Sequence, residues 1–584
     1  MDIKQLIRKS ISIALKQTFS IDVEYDQILV ERPANSSWGD YSTNIALKLS
    51  KDLSQAPYDI ANKLSYGIKA ALADESLGAS IGGLFSEVSS ASNGFINMKI
   101  SKEWLNKLLS EISVRSKNYG SSDLGSNETL IVEFSQANSN KPLHIGHARN
   151  NFIGSSLSNI YKFLGYNVIR ANYIGDIGIH ICKSMLMYLK HGHGKDPDKK
   201  PDHFIGDYYI QFEKEAEDNK ELLVEAQELL RRWEAKDPEI LALWEKMNQW
   251  VYEGWEETFK TQNVTFDVLE YESNCIDLGK DIVDIAVAKG IAEQDESGAI
   301  IARLEKYDLP DKVLLRSDGT SLYSTKDLQL ALDSWNKYHF WKRLYVVDVR
   351  QSDYFKQVFK ILEVLGFDWS NRLVHVPYGF VTLPEGKMSS RKGLVINSDD
   401  VFTTIKELEA SEISKSLKDI PDKDSVASKV ALAAFRYGLL KVDTKQDLVF
   451  DYSLVTKFDG NTGPYLMYTF ARTQSVLGRI LLEDKDKFVE VSNVSMDQRE
   501  YELARLLHLF PEIIADAGDK RAPNILCNYL FDVAQSFNSF YAENSVVNAS
   551  SGDLRVFRAQ LTHAVSIVLK NGLDLLGIPV VERM

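Results

Sequence analysis

The chain has 584 residues, 44% of them hydrophobic and 26% charged, which is the balance of a globular protein and not of a disordered one. A chain of this length should divide into several domains. Its net charge of −14 is unfavourable for a generally basic, nucleic-acid-binding surface, because phosphate contacts require lysine and arginine.

The first segment of the chain mixes helical and strand patterns, so we predict an amino-terminal α+β domain over residues 1–120. A polar, turn-rich stretch from Tyr119 to Asn127 is the predicted linker after it. The predicted elements are helices from Ile3 to Lys16, Ser42 to Leu53 and Ile60 to Ala73 and a strand from Gly94 to Ile100.

A βαβ pattern follows the linker. Leu130 to Phe134 is an apolar strand, Gly146 to Leu164 has helical periodicity, and Asn167 to Tyr173 is a second strand. Such units build parallel sheets, and ligands bind beyond the carboxyl ends of the strands, where the helices begin. We therefore predict an α/β catalytic core with a parallel sheet over residues 121–400.

A charged helical region interrupts this core. It begins near residue 183, and we predict a helical insertion over about residues 183–300. Sheet-like segments resume at Asp311 to Arg316 and at Arg343 to Asp348. Strand signals nearly vanish from Asp400 onward, so residues 401–584 are predicted to form an all-α bundle.

The chain shows no sign of a membrane or secretory segment. Its longest apolar run, Val430 to Leu440, is interrupted by Arg436 and is shorter than the ~20 residues of a membrane span. We expect a cytoplasmic protein with no membrane partner. Cys182, Cys275 and Cys527 form no CxxC pair, so we predict no disulfide and no metal site, and we expect all three to be buried.

The strongest chemical signal is the segment Lys141 to Asn150, which reads KPLHIGHARN and lies at the turn between the first core strand and its helix. A helix amino terminus carries unpaired N–H groups and partial positive charge, which suits a triphosphate. His144 and His147 are three residues apart and can share one side of the first turn, and Gly146 permits close approach to the backbone. Taken alone, the two histidines would more simply be capping or packing residues, and a zinc site is a weaker alternative.

A second signal follows the resumed sheet. The segment Gly386 to Leu394 reads GKMSSRKGL and is a strongly cationic loop. Alone it could be a solvated loop, but the two segments in this order are highly specific. They resemble the HIGH and KMSKS motifs of class I aminoacyl-tRNA synthetases.

Other segments narrow the resemblance to the arginine enzymes of that class. The matching segments are Trp38 to Asn44, Gly94 to Asn97, Val132 to Asn138, Asn172 to Asp176, Asp318 to Asp327, Val347 to Gln351, Gly460 to Tyr465 and Leu569 to Met584.

The resemblance implies a Rossmann-type catalytic core, an amino-terminal domain that contacts the tRNA elbow, and a carboxyl-terminal helical domain that contacts the anticodon. It also implies ATP with Mg²⁺ as a substrate complex, no permanently bound cofactor, L-arginine and its tRNA as further substrates, and a monomer. In this chemistry the arginine carboxylate attacks the α-phosphorus of ATP, and the terminal ribose hydroxyl of the tRNA then takes the activated arginine. The family typically activates arginine only with tRNA bound.

The resemblance assigns the nucleotide site to both motifs. The implied catalytic residues are His144, His147 and Lys387, and the implied ATP-binding set adds Gly146, Met388 and Ser389. The family motif has a lysine at the position of Ser390. Several arginine enzymes share this gap and carry a lysine before HIGH, so we assign the missing contact to Lys141, with Lys392 as the alternative.

Arginine recognition requires carboxylates, because they match the planar fork of guanidinium donors. Glu133 and Asp327 match the family's guanidinium readers, and Tyr323, four residues before Asp327, can share its helix face. Asn138 and Gln351 are implied to hold the α-ammonium and carboxylate. Glu133 alone could equally be structural.

The implied tRNA contacts are Phe95 and Asn97, which alternate with apolar neighbours on one strand. A simple exposed strand face is a nearly equal alternative. Six aromatic residues of the terminal helices recur at helical spacings and favour a core position over anticodon stacking. They are Tyr465, Tyr468, Phe470, Phe537, Phe540 and Tyr541.

Two other functions are compatible with the motifs. One is a catalytically silent relative that binds tRNA only, which the intact His144, His147 and Lys387 argue against. The other is a small cofactor adenylyltransferase with an HxGH motif, but such chains are far shorter and lack a terminal bundle.

Overall fold

The computed structural model of the chain describes residues 3–33, 35–73, 83–275, 279–320, 322–384, 396–415, 420, 422–480 and 494–584. Its internal contacts divide the chain into two compact units. The first unit comprises residues 1–120, 472–513 and 532–571, and the second comprises residues 121–471, 514–531 and 572–584. The sequence-based division into residues 1–120, 121–400 and 401–584 stays a prediction.

The described residues form the following elements. The helices are α1 (Ile3–Phe19), α2 (Ile45–Leu53), α3 (Pro57–Leu72), α4 (Lys102–Arg115), α5 (Ile145–Phe163), α6 (Ile179–Met187), α7 (Pro201–Asp218), α8 (Glu221–Glu234), α9 (Pro238–Thr261), α10 (Lys280–Ala288), α11 (Tyr323–Tyr338), α12 (Ser352–Val364), α13 (Ser398–Lys415), α14 (Lys423–Leu440), α15 (Tyr452–Val455), α16 (Gly463–Ile480), α17 (Gln498–His508), α18 (Phe510–Asp519), α19 (Pro523–Glu543) and α20 (Gly552–Leu575). The strands are β1 (Tyr41–Thr43), β2 (Phe85–Ser90), β3 (Ile96–Ile100), β4 (Thr129–Glu133), β5 (Asn167–Ile174), β6 (Val268–Tyr271), β7 (Ala292–Gln294), β8 (Ile300–Ala302), β9 (Lys312–Leu315), β10 (Lys342–Asp348), β11 (Leu373–Tyr378), β12 (Val381–Thr382) and β13 (Leu448–Val449).

The first unit contains a three-stranded antiparallel sheet in the order β1-β3-β2. Along β3, Ile96, Met98 and Ile100 are buried and the residues between them are not, because alternate side chains of a strand face the core. Within the same unit, the Tyr501 hydroxyl donates to the carbonyl of Ile100 at 3.0 Å and the Tyr119 hydroxyl to that of Leu507 at 2.9 Å. Helical residues from the terminal segment therefore pack on the α+β residues.

The second unit is built on a five-stranded sheet in the order β11-β10-β4-β5-β6, in which every neighbouring pair is parallel. The central strand β4 buries Leu130, Ile131 and Val132, as a strand covered on both faces must. Helix α5 follows β4 directly and leads to β5. The predicted Rossmann-type core and its βαβ unit are confirmed.

The helical insertion is formed by α6 to α9, whose core includes Met185, Phe212, Trp233 and Trp255. Its helical part is shorter than expected, because α9 ends at Thr261 and the chain then returns to the main sheet as β6.

The strand expected near Asp311 does not join the main sheet. It is β9, which lies in a separate antiparallel sheet in the order β7-β8-β9. The residues between β6 and β10 thus include a small second sheet, and the expectations of a helical insertion up to residue 300 and of a core strand at 311–316 were wrong. A short apolar run shows that a strand forms but not which neighbour it pairs with.

Two further expectations concern burial. Cys182, Cys275 and Cys527 are free and buried, as predicted. Of the six aromatic residues predicted to be core, Phe470, Phe537 and Phe540 are buried, whereas Tyr465, Tyr468 and Tyr541 are only partly buried. Among the described helices, none combines the length and the apolar composition that crossing a membrane would require.

Helix α13 carries a buried carboxyl group. Glu409 is fully buried, and neither of its side-chain oxygens has a hydrogen-bond partner among the described residues. Burial raises the pKa of Glu409 to about 8, and the charge of Glu412 adds to this. The folded protein therefore binds a proton here that an unfolded chain, with an ordinary glutamate pKa, has already released.

We predict that Glu409→Gln stabilises the protein increasingly as the pH rises. Because the pKa is raised on folding, the wild-type protein loses stability between about pH 4.5 and pH 8, whereas an amide cannot ionise. At pH 8 the variant should melt a few degrees above the wild type, and at pH 5 the two should coincide. Thermal melts across this range test it, with exposed Glu407→Gln on the same helix as control. A melting difference that does not change with pH would contradict the prediction.

Candidate active site

The amino terminus of α5 is capped by the two histidines of the first motif. His144 is the N-cap residue, and its Nδ1 accepts hydrogen bonds from the backbone N–H groups of Gly146 at 3.1 Å and His147 at 3.3 Å. In return, Nδ1 of His147 accepts from the backbone N–H of His144 at 3.2 Å. The rings stack with centroids 3.8 Å apart. The capping interpretation is therefore correct, but it occupies only one nitrogen of each ring.

Both rings are neutral at physiological pH. Burial lowers the pKa of His144 to about 4, and the charge of Lys141 adds to this. Burial, His144 and Lys141 together hold the pKa of His147 well below its usual value. Since each Nδ1 is an acceptor, each ring carries its hydrogen on Nε2, so the helix start presents two N–H donors in fixed positions.

Gly146 and Lys141 complete this end of the site. A Cβ atom at Gly146 would lie 2.9 Å from Cε1 of His144, so a side chain here would displace the capping ring. The Lys141 carbonyl accepts a hydrogen bond from the Trp255 indole at 3.1 Å, and its side chain lies over the Tyr209 ring. Lys141 is close enough for its charge to lower the pKa of both histidines.

The second motif, Gly386 to Leu394, lies entirely outside the described residues. Lys387, Met388, Ser389 and the alternative lysine Lys392 all lie there. The residues that follow are described and contact the first motif. The carbonyl of Ile396 accepts from the N–H of Ile145 at 3.2 Å, and the N–H of Ser398 donates to Leu143 at 2.8 Å. The chain that leaves the second motif is thus paired with the residues around His144.

A group of acidic and phenolic side chains lies at the carboxyl ends of β4, β5 and β6. Glu133 ends β4 and is buried. One of its oxygens is paired with the guanidinium of Arg343, and the other accepts from Nε2 of Gln136 at 2.8 Å. Both oxygens of this predicted guanidinium reader therefore already have partners within the protein.

Asp327 is the second predicted guanidinium reader, and it accepts a hydrogen bond from the hydroxyl of Tyr354. Burial raises the pKa of Asp327 to about 7; the Tyr354 hydrogen bond opposes this shift, and the charge of Glu133 adds to it. Tyr323 precedes Asp327 by one turn at the start of α11 and is 64% exposed, so its ring is accessible to a ligand.

Two residues that the sequence reasoning missed join this group. Glu272 directly follows β6, is buried, and is bonded to Lys326 at 2.9 Å. Tyr173 lies on β5, and its buried hydroxyl has no hydrogen-bond partner among the described residues. Burial and the charges of Glu272 and Asp327 raise the pKa of Tyr173 far above its usual value. The position of Glu272 at the carboxyl end of a strand was a usable signal, and Tyr173 lies in the matching segment Asn172 to Asp176, although nothing in its spacing indicated a role.

Asn138 and Gln351 lie on the loops that follow β4 and β10. Asn138 forms an isolated parallel bridge with Gly175, and its Oδ1 lies where a Cβ of residue 175 would be. Gln351 is exposed and is the N-cap residue of α12. Both residues therefore lie at the carboxyl edge of the parallel sheet, but no contact connects them to each other.

The two predicted tRNA contacts lie in the first unit. Asn97 is in β3 and Phe95 immediately precedes it, and both are half-buried on the face opposite to buried Ile96 and Met98. This placement fits both the contact role and the alternative of a simple strand face.

One cluster has the spacing of a metal site. Donor atoms of Asp202, His203 and Asp399 lie close enough together to hold an ion. However, the ammonium of Lys200 is 3.1 Å from Asp202 and 2.7 Å from Asp399, so a protein cation already neutralises these carboxylates. We assign no metal to this cluster.

Comparisons with known proteins agree on one family. Residues 108–452 match the family model described as tRNA synthetases class I (R), catalytic domain. Residues 5–100 match the arginyl tRNA synthetase N terminal domain, and residues 466–584 match the DALR anticodon binding domain.

Individual relatives match over the whole chain. The arginine–tRNA ligase of Phocaeicola vulgatus is 36% identical with all of both chains covered, and that of Borrelia turicatae is 35% identical with 100% of this chain and 99% of the relative covered. The solved structure of Thermus thermophilus arginyl-tRNA synthetase has a TM-score of 0.78 at 25% identity, with all of both chains covered.

Proposed function

The chain belongs to the arginyl-tRNA synthetase family, and we infer from this membership and from the site that it joins L-arginine to its tRNA in an ATP-dependent reaction. The observation that supports this most directly is the segregation of charge within the second unit. Two fixed N–H donors lie at the start of α5 and Lys141 shortly before it. The carboxylates of Glu133 and Glu272, at the ends of β4 and β6, lie with Asp327 of α11, whose pKa responds to both of their charges.

We assign the triphosphate to the start of α5. The Nε2–H groups of His144 and His147 and the ammonium of Lys141 donate to the phosphates, and Gly146 leaves room at the backbone. ATP arrives with Mg²⁺ as a substrate complex, which neutralises part of its charge. Lys387, Met388 and Ser389 belong to this proposed set through the family motif, and Lys141 takes the contact that Ser390 cannot make.

We assign the guanidinium of arginine to the acidic group. Asp327 is the proposed bidentate partner, and Glu272 and Tyr173 add an anion and a hydroxyl. Glu133 contributes as a negative charge fixed by Arg343. Tyr323 covers the aliphatic stem of the substrate. Asn138 and Gln351, at the same sheet edge, hold the α-ammonium and carboxylate in this proposal.

In this reaction the protein positions the two substrates and does not supply a nucleophile. The arginine carboxylate oxygen attacks the α-phosphorus, the bond from that phosphorus to the bridging oxygen breaks, and pyrophosphate leaves with the electron pair. The neutral imidazoles and Lys141 stabilise the charge that builds up on the phosphates. The terminal ribose hydroxyl of tRNA then displaces AMP from the arginyl-adenylate.

The remaining partners are proposed from the family. Phe95 and Asn97 contact the elbow of the tRNA, and the terminal helical residues contact its anticodon. We further propose that the protein acts as a monomer in the cytoplasm.

The function is tested by pyrophosphate exchange. Exchange should require both arginine and tRNA for arginine, and lysine, which lacks the planar guanidinium, should not replace arginine. Charging of the tRNA with labelled arginine completes the test. A protein that binds this tRNA but supports neither reaction would be the silent relative considered above, and exchange at full rate without tRNA would refute the tRNA requirement.

The double role of His144 predicts that its two substitutions behave differently. Asparagine is a good N-cap, so His144→Asn should keep the melting temperature but lose the Nε2–H donor and about a hundredfold in turnover. His144→Ala should show the same loss of turnover and also about 1 kcal/mol lower stability. Turnover and thermal melts are measured together. Near-normal turnover of His144→Asn would show that the ring serves only as a cap.

Arginine binding should depend on the ionisation of Asp327. Its raised pKa of about 7 means that in the free protein this carboxyl is protonated at lower pH and gains its charge as the pH rises. Since the guanidinium remains charged throughout, the KM for arginine should fall between pH 6 and pH 8. Asp327→Asn should raise KM roughly a hundredfold and abolish this pH dependence. A variant that retained the wild-type pH dependence would disprove the assignment.

A further inference from the structure

Lys141 is one of two lysines that lie against a single tyrosine ring. Its Nζ is 5.7 Å from the ring centroid of Tyr209 on α7, and Nζ of Lys183 on α6 is 5.9 Å from the same centroid. Lys183 also forms an ion pair with Glu213 at 2.7 Å. Tyr209 and Glu213 are one helical turn apart, so one face of α7 offers Lys141 both an aromatic surface and a carboxylate.

The backbone of Lys141 is held firmly beside this face. Its carbonyl is bonded to the Trp255 indole, and α7 approaches closely at Gly206, where a Cβ would lie 2.6 Å from Cδ of Pro142. Because the backbone is fixed, the contacts of the ammonium group determine where the Lys141 side chain lies.

The ammonium of Lys141 has no ion-pair partner among the described residues. Burial lowers its pKa, and the charge of Glu213 partly opposes this shift, so Glu213 is near enough to act on it. Glu213 is already paired. Burial would raise its pKa, but the hydrogen bond and charge of Lys183, together with a hydrogen bond from the Tyr209 hydroxyl, hold that pKa below its usual value. Because Glu213 is already paired with Lys183, it does not form an ion pair with Lys141.

We propose that Tyr209 and Lys183 are positioning residues for Lys141. The ring of Tyr209 holds the ammonium by a cation–π contact, which fixes its direction without neutralising it. Lys183 occupies Glu213, which would otherwise draw Lys141 into an ion pair and away from the phosphates. This inference rests on the proposed assignment of Lys141 to the triphosphate of ATP.

Substitution of Tyr209 tests the proposed role of its ring. Tyr209→Phe keeps the ring face and removes only the hydroxyl that contacts Glu213 and His180. Because Lys183 still pairs with Glu213, this variant should retain kcat/KM for ATP within about twofold, whereas Tyr209→Leu should lower it roughly three- to tenfold. The KM for arginine should not change in either variant, because residues other than Tyr209 hold the side chains of the acidic group. Melting temperatures show whether Tyr209→Leu remains folded. Equal activity of the two variants, or equal loss, overturns the role of the ring.

Substitution of Lys183 tests whether its pairing with Glu213 keeps Lys141 free for the phosphates. Lys183→Met frees Glu213 and should raise the KM for ATP and lower kcat, and Lys183→Met combined with Glu213→Gln should restore both to within about twofold of the wild type. Lys190→Met, which breaks the exposed ion pair with Glu225 in the same insertion, is the matched control and should have no effect.

The experiments distinguish a failure of this inference from a failure of the proposed function. If the double variant stays as impaired as Lys183→Met, or if Lys183→Met is fully active, the proposed role of Lys183 is wrong. If the wild-type protein shows no arginine-dependent exchange, the proposed function itself fails. If exchange is normal but Lys141→Met has no effect on it, Lys141 is not the phosphate ligand and the inference fails alone.

Discussion

The burial of helix α5 is the constraint on which the second unit depends. Most of its polar side chains are as buried as its apolar ones, and Asn150 and Asn151 are bonded to neighbouring elements. Asn150 accepts from the N–H of Ser135 at 2.7 Å and donates to the carbonyl of Val346 at 2.8 Å, and Asn151 donates to Gln262 at 2.9 Å. Because an unpaired buried amide is costly, these bonds allow only one placement of the helix. The capping histidines are held in place by the same helix.

The short connection from β4 to α5 brings opposite charges together. It begins at the buried carboxylate of Glu133 and ends at the donor-rich cap of His144. Ser135 and Gln136 have positive φ angles of 82° and 50°, and their backbone N–H groups are held by Asn150 and Asn172. In the proposed assignment, this turn lets one loop contact both the triphosphate and the guanidinium. Without it, the carboxylate and the imidazoles would not belong to one site.

The sequence was informative where a pattern is local. The strand ending at Glu133 and the helix after His144 follow from hydrophobic periodicity, and the two motifs identify the nucleotide end. It was uninformative where the partner is distant. Arg343 pairs with Glu133 across two neighbouring strands, and no spacing rule indicates that pair. Tyr173 and Tyr209 are single residues in ordinary elements, and only folding brings them to the acidic group and to Lys141.

The reciprocal cap limits what evolution can place at residues 144 and 147. Each position needs an acceptor directed at the backbone and a donor on the opposite side of a rigid frame. An amide directs its acceptor and its donor less far apart than an imidazole does, and a hydroxyl has only one atom for both tasks. The imidazole ring points its Nδ1 acceptor and its Nε2–H donor most nearly in opposite directions. An asparagine could supply the cap alone, so the cap and the outward donor together are what favour histidine at both positions.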